Sequence, residues 1–181
     1  MPRLTKKRQS YRLSTWNYDW SADYFITICV KNHQCLLGSI KDSKFHYSSI
    51  GIIAEILWEK IPIHHPEVSL GEYIIMPNHI HGILHLNNKE DENKILIETD
   101  YHSLKHSENW HSKISPPKNS IPSIIRSYKS SVKRYCNRFD LQFEWQKRYY
   151  DHIIRDGNDY LRIENYILNN RNKWDEDRFH P

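Results

Sequence analysis

The sequence predicts an α+β fold in which one antiparallel sheet is backed by two helices. Three observations carry this. Short, β-rich apolar runs recur at residues 23–30, 68–76, 79–86 and 149–155. Two segments between them, 48–61 and 121–139, instead place apolar residues at helical spacing. The second and third runs are separated only by Pro77-Asn78, a turn signal that makes them a hairpin. The resulting order, β-α-β-β-α-β, is the ferredoxin-like arrangement, and a further helix follows it here.

Taken in order, the chain opens with a basic, aromatic arm, residues 1–20 or so, which lies over the domain. "DYFITICV" (23–30) is almost wholly apolar, as a central strand requires. "CLLGSIKDSKFHYS" (35–48) reads as a small hairpin about Lys41-Asp42. Ser48 or Ser49 can cap the first helix, whose stripe is Ile50, Ile53, Ala54, Leu57 and Ile61, and Pro62 stops it. "VSLGEYIIM" (68–76) and "HIHGILHL" (79–86) are the two arms of the central hairpin. Residues 87–120 are polar and aperiodic, and a loop that long is an excursion within a single domain spanning 1–181. The second helix carries Ile121, Ile124, Ile125, Tyr128, Val132, Tyr135, Cys136 and Phe139 in one stripe. Arg126, Lys129, Lys133, Arg134 and Arg138 lie largely off that stripe, a basic face with no acid before Asp140. "YYDHIIR" (149–155) is the last strand, and Asp156-Gly157-Asn158 turns into a final helix from Asp159 to about Asn170.

Composition narrows the function classes. Apolar residues are 38% of the chain and the mean hydropathy is −0.80, so the core is economical. The 12 Tyr and 6 Trp can pack or stack on bases. A net charge of +4 is a weak pointer to a polyanionic partner, so its distribution matters more. Cys29, Cys35 and Cys136 are odd in number and form no CxxC pair, which argues against a disulfide framework or a cysteine zinc site. The N-terminus lacks the apolar segment of a signal peptide, and no run approaches the roughly 20 residues of a membrane span. A soluble cytoplasmic protein without a membrane partner is expected.

Chemistry concentrates at two places. Strand side chains alternate, so His79 and His81 share one face while Ile80, Leu84 and Leu86 point to the other. The apolar face belongs against the two helices, which leaves the histidines on the open face. Two imidazoles at i and i+2 can converge on one divalent ion, although an isolated His-x-His more often describes two surface histidines. Gly82 lets something approach the backbone closely. His85 shares the histidine face, but Ile83 interrupts the series. In the final helix Leu161, Ile163, Ile167 and Leu168 make the core side, and Tyr166 falls away from it among polar residues. Asn170 lies one turn further on the same side. A tyrosine hydroxyl beside a metal-bound phosphodiester can attack it and form a covalent phosphotyrosine, an exchange that needs no ATP. No Walker A or other Gly-rich phosphate loop is present.

"EYIIMPNHIHGIL" followed far downstream by "WQKRYYDHIIRD" and "RIENYILNNRNKW" resembles the single-tyrosine HUH transposases, and most closely the REP-associated tyrosine transposases. The resemblance runs over most of the chain. It implies that His79 and His81 hold Mg²⁺ or Mn²⁺, with Asn170 as a third, amide ligand. It implies that Tyr166 is the nucleophile on single-stranded DNA, leaving a 5′-phosphotyrosine and a free 3′-OH. It implies hairpin DNA as substrate and a bacterial, nucleoid-associated setting. His152 falls in the "DHIIR" stretch, near the metal or the DNA or bonded within its strand. Tyr149 and Tyr150 are rival nucleophiles on opposite faces of their strand. Arg171 stands where the family often has a proline, so the last helix is expected to run on or to end less sharply.

DNA phosphates would be carried by the basic helix face (Arg126, Lys129, Lys133, Arg134, Arg138) and by Lys6, Lys7, Arg8 and Arg12 of the arm. Two other readings compete with a nicking and joining enzyme. One is a non-catalytic nucleic-acid-binding module, and the other a metal-dependent nucleotide phosphoesterase without a covalent tyrosine. A monomer and a homodimer both remain compatible with one tyrosine per site.

Overall fold

A computed structural model describes residues 16–42, 44–88 and 116–181. Lys6, Lys7, Arg8 and Arg12 of the arm, and residues 89–115 of the long loop, lie outside the described residues. The strands are β1 (Ala22–Cys29), β2 (Gly38–Lys41), β3 (Lys44–Tyr47), β4 (Val68–Ile75), β5 (His79–Leu86) and β6 (Tyr150–Ile154). The helices are α1 (Ser49–Glu59), a single turn α2 (Ile61–His64), α3 (Ile121–Arg138) and α4 (Gly157–Asn169), the last running into a 3-10 segment, Arg171–Glu176. The main sheet has the order β4-β5-β1-β6 with every neighbour antiparallel, and β2–β3 form a separate hairpin. This is the ferredoxin-like α+β arrangement the sequence predicts. Among the described residues no helix is long and apolar enough to cross a membrane.

Alternation along β1 and β5 divides the core in two. Tyr24, Ile26 and Ile28 with Ile80, Leu84 and Leu86 face α1 and α3. Phe25 and Ile83 face the other way, where Ile163 and Ile167 of α4 and Trp174 close over them. The histidine face is therefore covered rather than open. The final helix, expected from its apolar stripe, is what covers it: Ile163 and Ile167 pack on the face that the two-helix arrangement leaves open.

Local chemistry sets the helix ends. Ser48 caps α1: its Oγ accepts from Gly51 N–H (3.0 Å) and donates to Leu36 O (2.6 Å). Trp58, absent from the expected stripe, is fully buried and is the group that approaches Gly82, where a Cβ would come within 2.4 Å of its ring. Pro62 does not stop α1, which ends at Glu59. It sits in the first turn of α2, where proline is tolerated. On α3 the stripe is buried as far as Val132 and Cys136, but Tyr135 and Phe139 are exposed. Tyr128 O–H donates to Ala54 O (2.9 Å) and ties the two helices. Asp156 caps α4 by accepting from Asp159 N–H (2.9 Å).

Gly51 is required by packing. A Cβ there would lie 1.9 Å from Leu37 O, the carbonyl of a fully buried residue already bonded by Ser48 N–H (3.0 Å). Gly51→Ala is expected to cost about 3 kcal/mol and to lower the melting temperature by roughly 6–12 °C. A calorimetric scan checks this, and an unchanged melting temperature would show that the hairpin can move away from α1.

Candidate metal and nucleophile site

The site is built on the turn that precedes β5. Met76, Pro77, Asn78 and His79 are all buried. Their backbone is fixed from outside: Val30 N–H donates to Asn78 O (2.8 Å) and Leu37 N–H to Pro77 O (2.9 Å). The Asn78 amide donates from Nδ2 to His33 O (3.0 Å) and Phe179 O (2.7 Å). That orientation aims its Oδ1 at His79 Nδ1 (2.8 Å), and an amide oxygen only accepts, so Nδ1 carries the proton. His79 Nε2 is left with a free lone pair, buried and without a hydrogen-bond partner among the described residues.

His81 is oriented in the same way by its neighbour across the ladder. Thr27 pairs with it in register, and Thr27 Oγ1 lies 2.8 Å from His81 Nδ1. Phe25 stacks on the ring with centroids 5.3 Å apart. His81 Nε2 meets the Tyr166 hydroxyl at 3.1 Å. The two imidazoles are 4.5 Å apart between centroids, and each has its Nδ1 engaged by a neighbour. Holding the far nitrogen of each ring is how proteins prepare histidines for a metal.

Burial keeps both rings neutral. It pushes His79 down to about 3, with Arg178 and His33 adding to the effect, and takes His81 well below its ordinary range, with His79 and Arg178 contributing. Unfolded histidines take up protons from about pH 6.5. Stability is therefore complete above that pH and falls as pH drops toward 3, by about 1.4 kcal/mol per pH unit for each histidine that charges only on unfolding. Urea melts of metal-free protein between pH 7 and 4 should show this fall. A flat profile would mean that the rings are solvated.

Tyr166 sits at the shoulder of α4, 42% exposed, with its ring edge-on to Phe25 (6.1 Å). Burial and the Asp177 charge raise its hydroxyl, while a hydrogen bond from Asn170 and the Arg178 charge pull it back. Asn170 is 3% exposed, and its Oδ1 has no partner among the described residues. Asp177 is the site residue that the sequence reading misses. Its Oδ2 lies 4.0 Å from His79 Nε2, and ligand atoms of His79, His81 and Asp177 fall within 4.8 Å of one another. Two neutral imidazoles with orphaned or paired Nε2 atoms, a carboxylate and an orphaned amide oxygen fit a divalent cation. The nitrogen pair suits Mn²⁺ at least as well as Mg²⁺. Asp177 belongs to a tail without periodicity. The signal that the tail docks is Trp174 and Phe179, two large apolar residues in a polar stretch, which lie 6.2 and 4.7 Å from the His79 ring.

The remaining candidates are dispersed. His152 Nε2 bonds Asp159 Oδ2 (2.7 Å) and His85 Nδ1 bonds Asp23 Oδ1 (2.7 Å), so a carboxylate engages each of them. Tyr150 faces the site side of the sheet, edge-on to Phe25, while Tyr149 packs against the α1–α3 core. The basic residues of α3 lie in the opposite layer and are not equivalent. Lys129 Nζ donates to Gln146 O (2.6 Å) and reaches Lys147 O (3.4 Å), and burial lowers it to about 8. Lys133 Nζ donates to Phe143 O (2.6 Å) and Arg134 to Ser131 Oγ (3.2 Å). Arg138 lies over Tyr135, and Arg126 is exposed.

No family profile matches the chain. An uncharacterized protein of Haemophilus influenzae is 35% identical over 174 residues, which cover 96% of this chain and 93% of that protein. The chain belongs to that protein's family. Among solved structures, a REP-associated tyrosine transposase bound to a REP hairpin aligns with a TM-score of 0.58 at 18% identity, over 92% of this chain and 74% of the other. The fold is thus the REP-associated tyrosine transposase fold.

Within this transposase-like fold, Arg171 takes a definite role. It donates to Tyr47 Oη (3.2 Å) and Ile75 O (3.4 Å), and its guanidinium lies 4.7 Å from the centre of the Phe45 ring. Tyr47 also bonds Glu55 of α1. The end of α4 is thereby tied to the β2–β3 hairpin, and the chain continues from Asn170 as a 3-10 segment. Asn170 keeps helical backbone angles (φ −63°, ψ −39°), one turn beyond Tyr166.

Proposed function

We propose that this protein is a divalent-metal-dependent enzyme that nicks and joins single-stranded DNA at hairpin-flanked sites, with Tyr166 as nucleophile. The observation that carries the reading is the Tyr166 hydroxyl 3.1 Å from His81 Nε2, beside the orphaned Nε2 of His79. A nucleophile and a metal-ligand pair on different elements, α4 and β5, meet at one point. His79 and His81 hold the cation, with Asp177 or Asn170 completing its protein ligands. A bound cation supplies Lewis-acid polarisation of the scissile phosphate.

The chain's own residues do the rest. Tyr166 Oη attacks phosphorus and the P–O3′ bond breaks. The departing 3′ oxygen takes up a proton as the phenol loses one, so the exchange is proton-neutral, and a 5′-phosphotyrosine remains. Attack by another 3′-OH reverses the step and joins new ends. A groove of about 480 Å³ beside Tyr166 offers Arg162, Lys173 and Arg178 to the DNA backbone. The structural relative was bound to a REP hairpin, which makes hairpin DNA the substrate class to try first. The working place is the bacterial cytoplasm, at the nucleoid.

The test is direct. Labelled hairpin DNA with single-stranded flanks is incubated with the protein and Mn²⁺, then denatured. A protein–DNA adduct that survives denaturation and disappears with chelator is expected. Binding without any adduct across varied hairpins, or cleavage indifferent to chelator, would overturn the reading.

A further inference from the structure

α4 packs chiefly on β4 and β5, and a second groove opens beside the Thr27–Cys29 end of β1 and Tyr150 of β6. This groove, about 340 Å³, is lined by Thr27, Cys29, Gln146, Arg148, Tyr150 and Arg178 among others. Arg178 also lines the groove beside Tyr166, so the two meet next to the histidine pair. A strand cut in its middle has to leave the site in two directions. The groove beside Tyr166 accounts for one of them.

We infer that the second groove takes nucleotides on the other side of the scissile phosphate, with Tyr150 as the stacking platform for one base. This rests on the proposed nicking reaction. Tyr150 is 40% exposed at the start of a strand whose Asp151, Ile153 and Ile154 are buried, and its ring touches Phe25 edge-on with centroids 6.4 Å apart. Phe25 in turn stacks on His81, so the platform is held at a fixed offset from a metal ligand by one intervening ring. A ring anchored by its edge keeps a face for a base, and stacking is tolerant of base identity. The wall opposite is cationic and braced. Lys129 Nζ holds the carbonyls of Gln146 and Lys147 and reaches that of Arg148 (3.5 Å), which fixes the segment carrying the Arg148 side chain. Arg178 lies over the Phe179 ring (4.4 Å). Aromatic surface between two arginines matches the chemistry of single-stranded nucleic acid. It also gives Tyr150 a role other than nucleophile, since Tyr166 and not Tyr150 is bonded to His81.

The test uses the full chain and a fluorescein-labelled hairpin with single-stranded flanks, in Mn²⁺, read by anisotropy for binding and by denaturing gel for adduct. A single abasic site is moved along the flanks. Tyr150→Ala is expected to weaken binding about ten-fold, with Tyr150→Phe within two-fold of the unmodified protein. At one position the abasic substitution should weaken the unmodified protein by the same factor and leave Tyr150→Ala unaffected. Melting curves check that the exposed Tyr150 can be replaced without unfolding. Tyr150→Ala binding like the unmodified protein, or losing affinity without coupling to any single base, overturns the subsite, even where adduct still forms. Base-coupled binding without adduct upholds the subsite and overturns the nicking reaction. Absence of any binding to the single-stranded flanks overturns both.

Discussion

Tyr166→Phe is expected to abolish the covalent DNA adduct and to lower cleavage by 10⁴-fold or more, on the order seen when an enzyme loses its nucleophile. The substitution removes one oxygen and little else. The ring keeps its edge contact with Phe25, and because the side chain is 42% exposed the fold should lose no more than about 1 kcal/mol. The hydroxyl's departure frees His81 Nε2, which it otherwise engages at 3.1 Å. A metal ion needs that same lone pair. Loss of a competing hydrogen bond worth about 1 kcal/mol should therefore tighten Mn²⁺ binding roughly five-fold in the variant. Titration calorimetry with Mn²⁺ and a denaturing gel together check both halves. An adduct that persists in Tyr166→Phe would transfer the nucleophile's role to another tyrosine, with Tyr150 on the same sheet face the first to test.

The sequence made one half of this site legible and hid the other, for a physical reason. Alternation in "HIHGILHL" separates His79 and His81 from Ile80, Leu84 and Leu86, because a strand has only two faces and one of them is continuously apolar. Tyr166 stands out because an aromatic off a helix's apolar stripe has no claim from the core. Periodicity says which side of a helix can be buried, and it says nothing of how wide the partner is. Leu161 and Leu168 read as core residues yet are 55% and 56% exposed, since the apolar contact of α4 with the sheet is narrow and centred on Ile163 and Ile167. Asp177 carries no periodic signal at all. It reaches His79 because Asn78 Nδ2 holds Phe179 O from a turn about a hundred residues earlier, a contact that no local pattern encodes. The charge of α3 was equally legible, but its partners were not. Lys129 and Lys133 look free in sequence and are bonded to carbonyls of the 143–148 segment.

Replacing both histidines, His79→Ala with His81→Ala, is expected to remove measurable Mn²⁺ binding and with it all adduct. Each imidazole supplies one prepared Nε2, and the remaining carboxylate and amide would hold the ion no better than an ordinary surface acid. Asp177→Asn provides the comparison. It keeps the shape of the side chain but removes the negative charge 4.0 Å from His79 Nε2, so affinity should fall about ten-fold rather than vanish. The clearest readout is thermal. A ligand bound only by the folded state stabilises it by about 2.7 kcal/mol at a hundred times its dissociation constant. Mn²⁺ should therefore raise the melting temperature of the unmodified protein by roughly 5–10 °C. It should raise that of Asp177→Asn by less at the same concentration, and that of the double variant not at all. The baseline without metal moves for a different cause. His79 holds an orphaned Nε2 at zero exposure, a cost its removal relieves, while the cavity and the unpaired Asn78 Oδ1 left behind act against the fold. The metal-dependent shift, measured within each variant, is free of that baseline. An equal Mn²⁺ shift in the double variant would place the ion elsewhere and leave the two histidines as buried, hydrogen-bonded residues of the sheet.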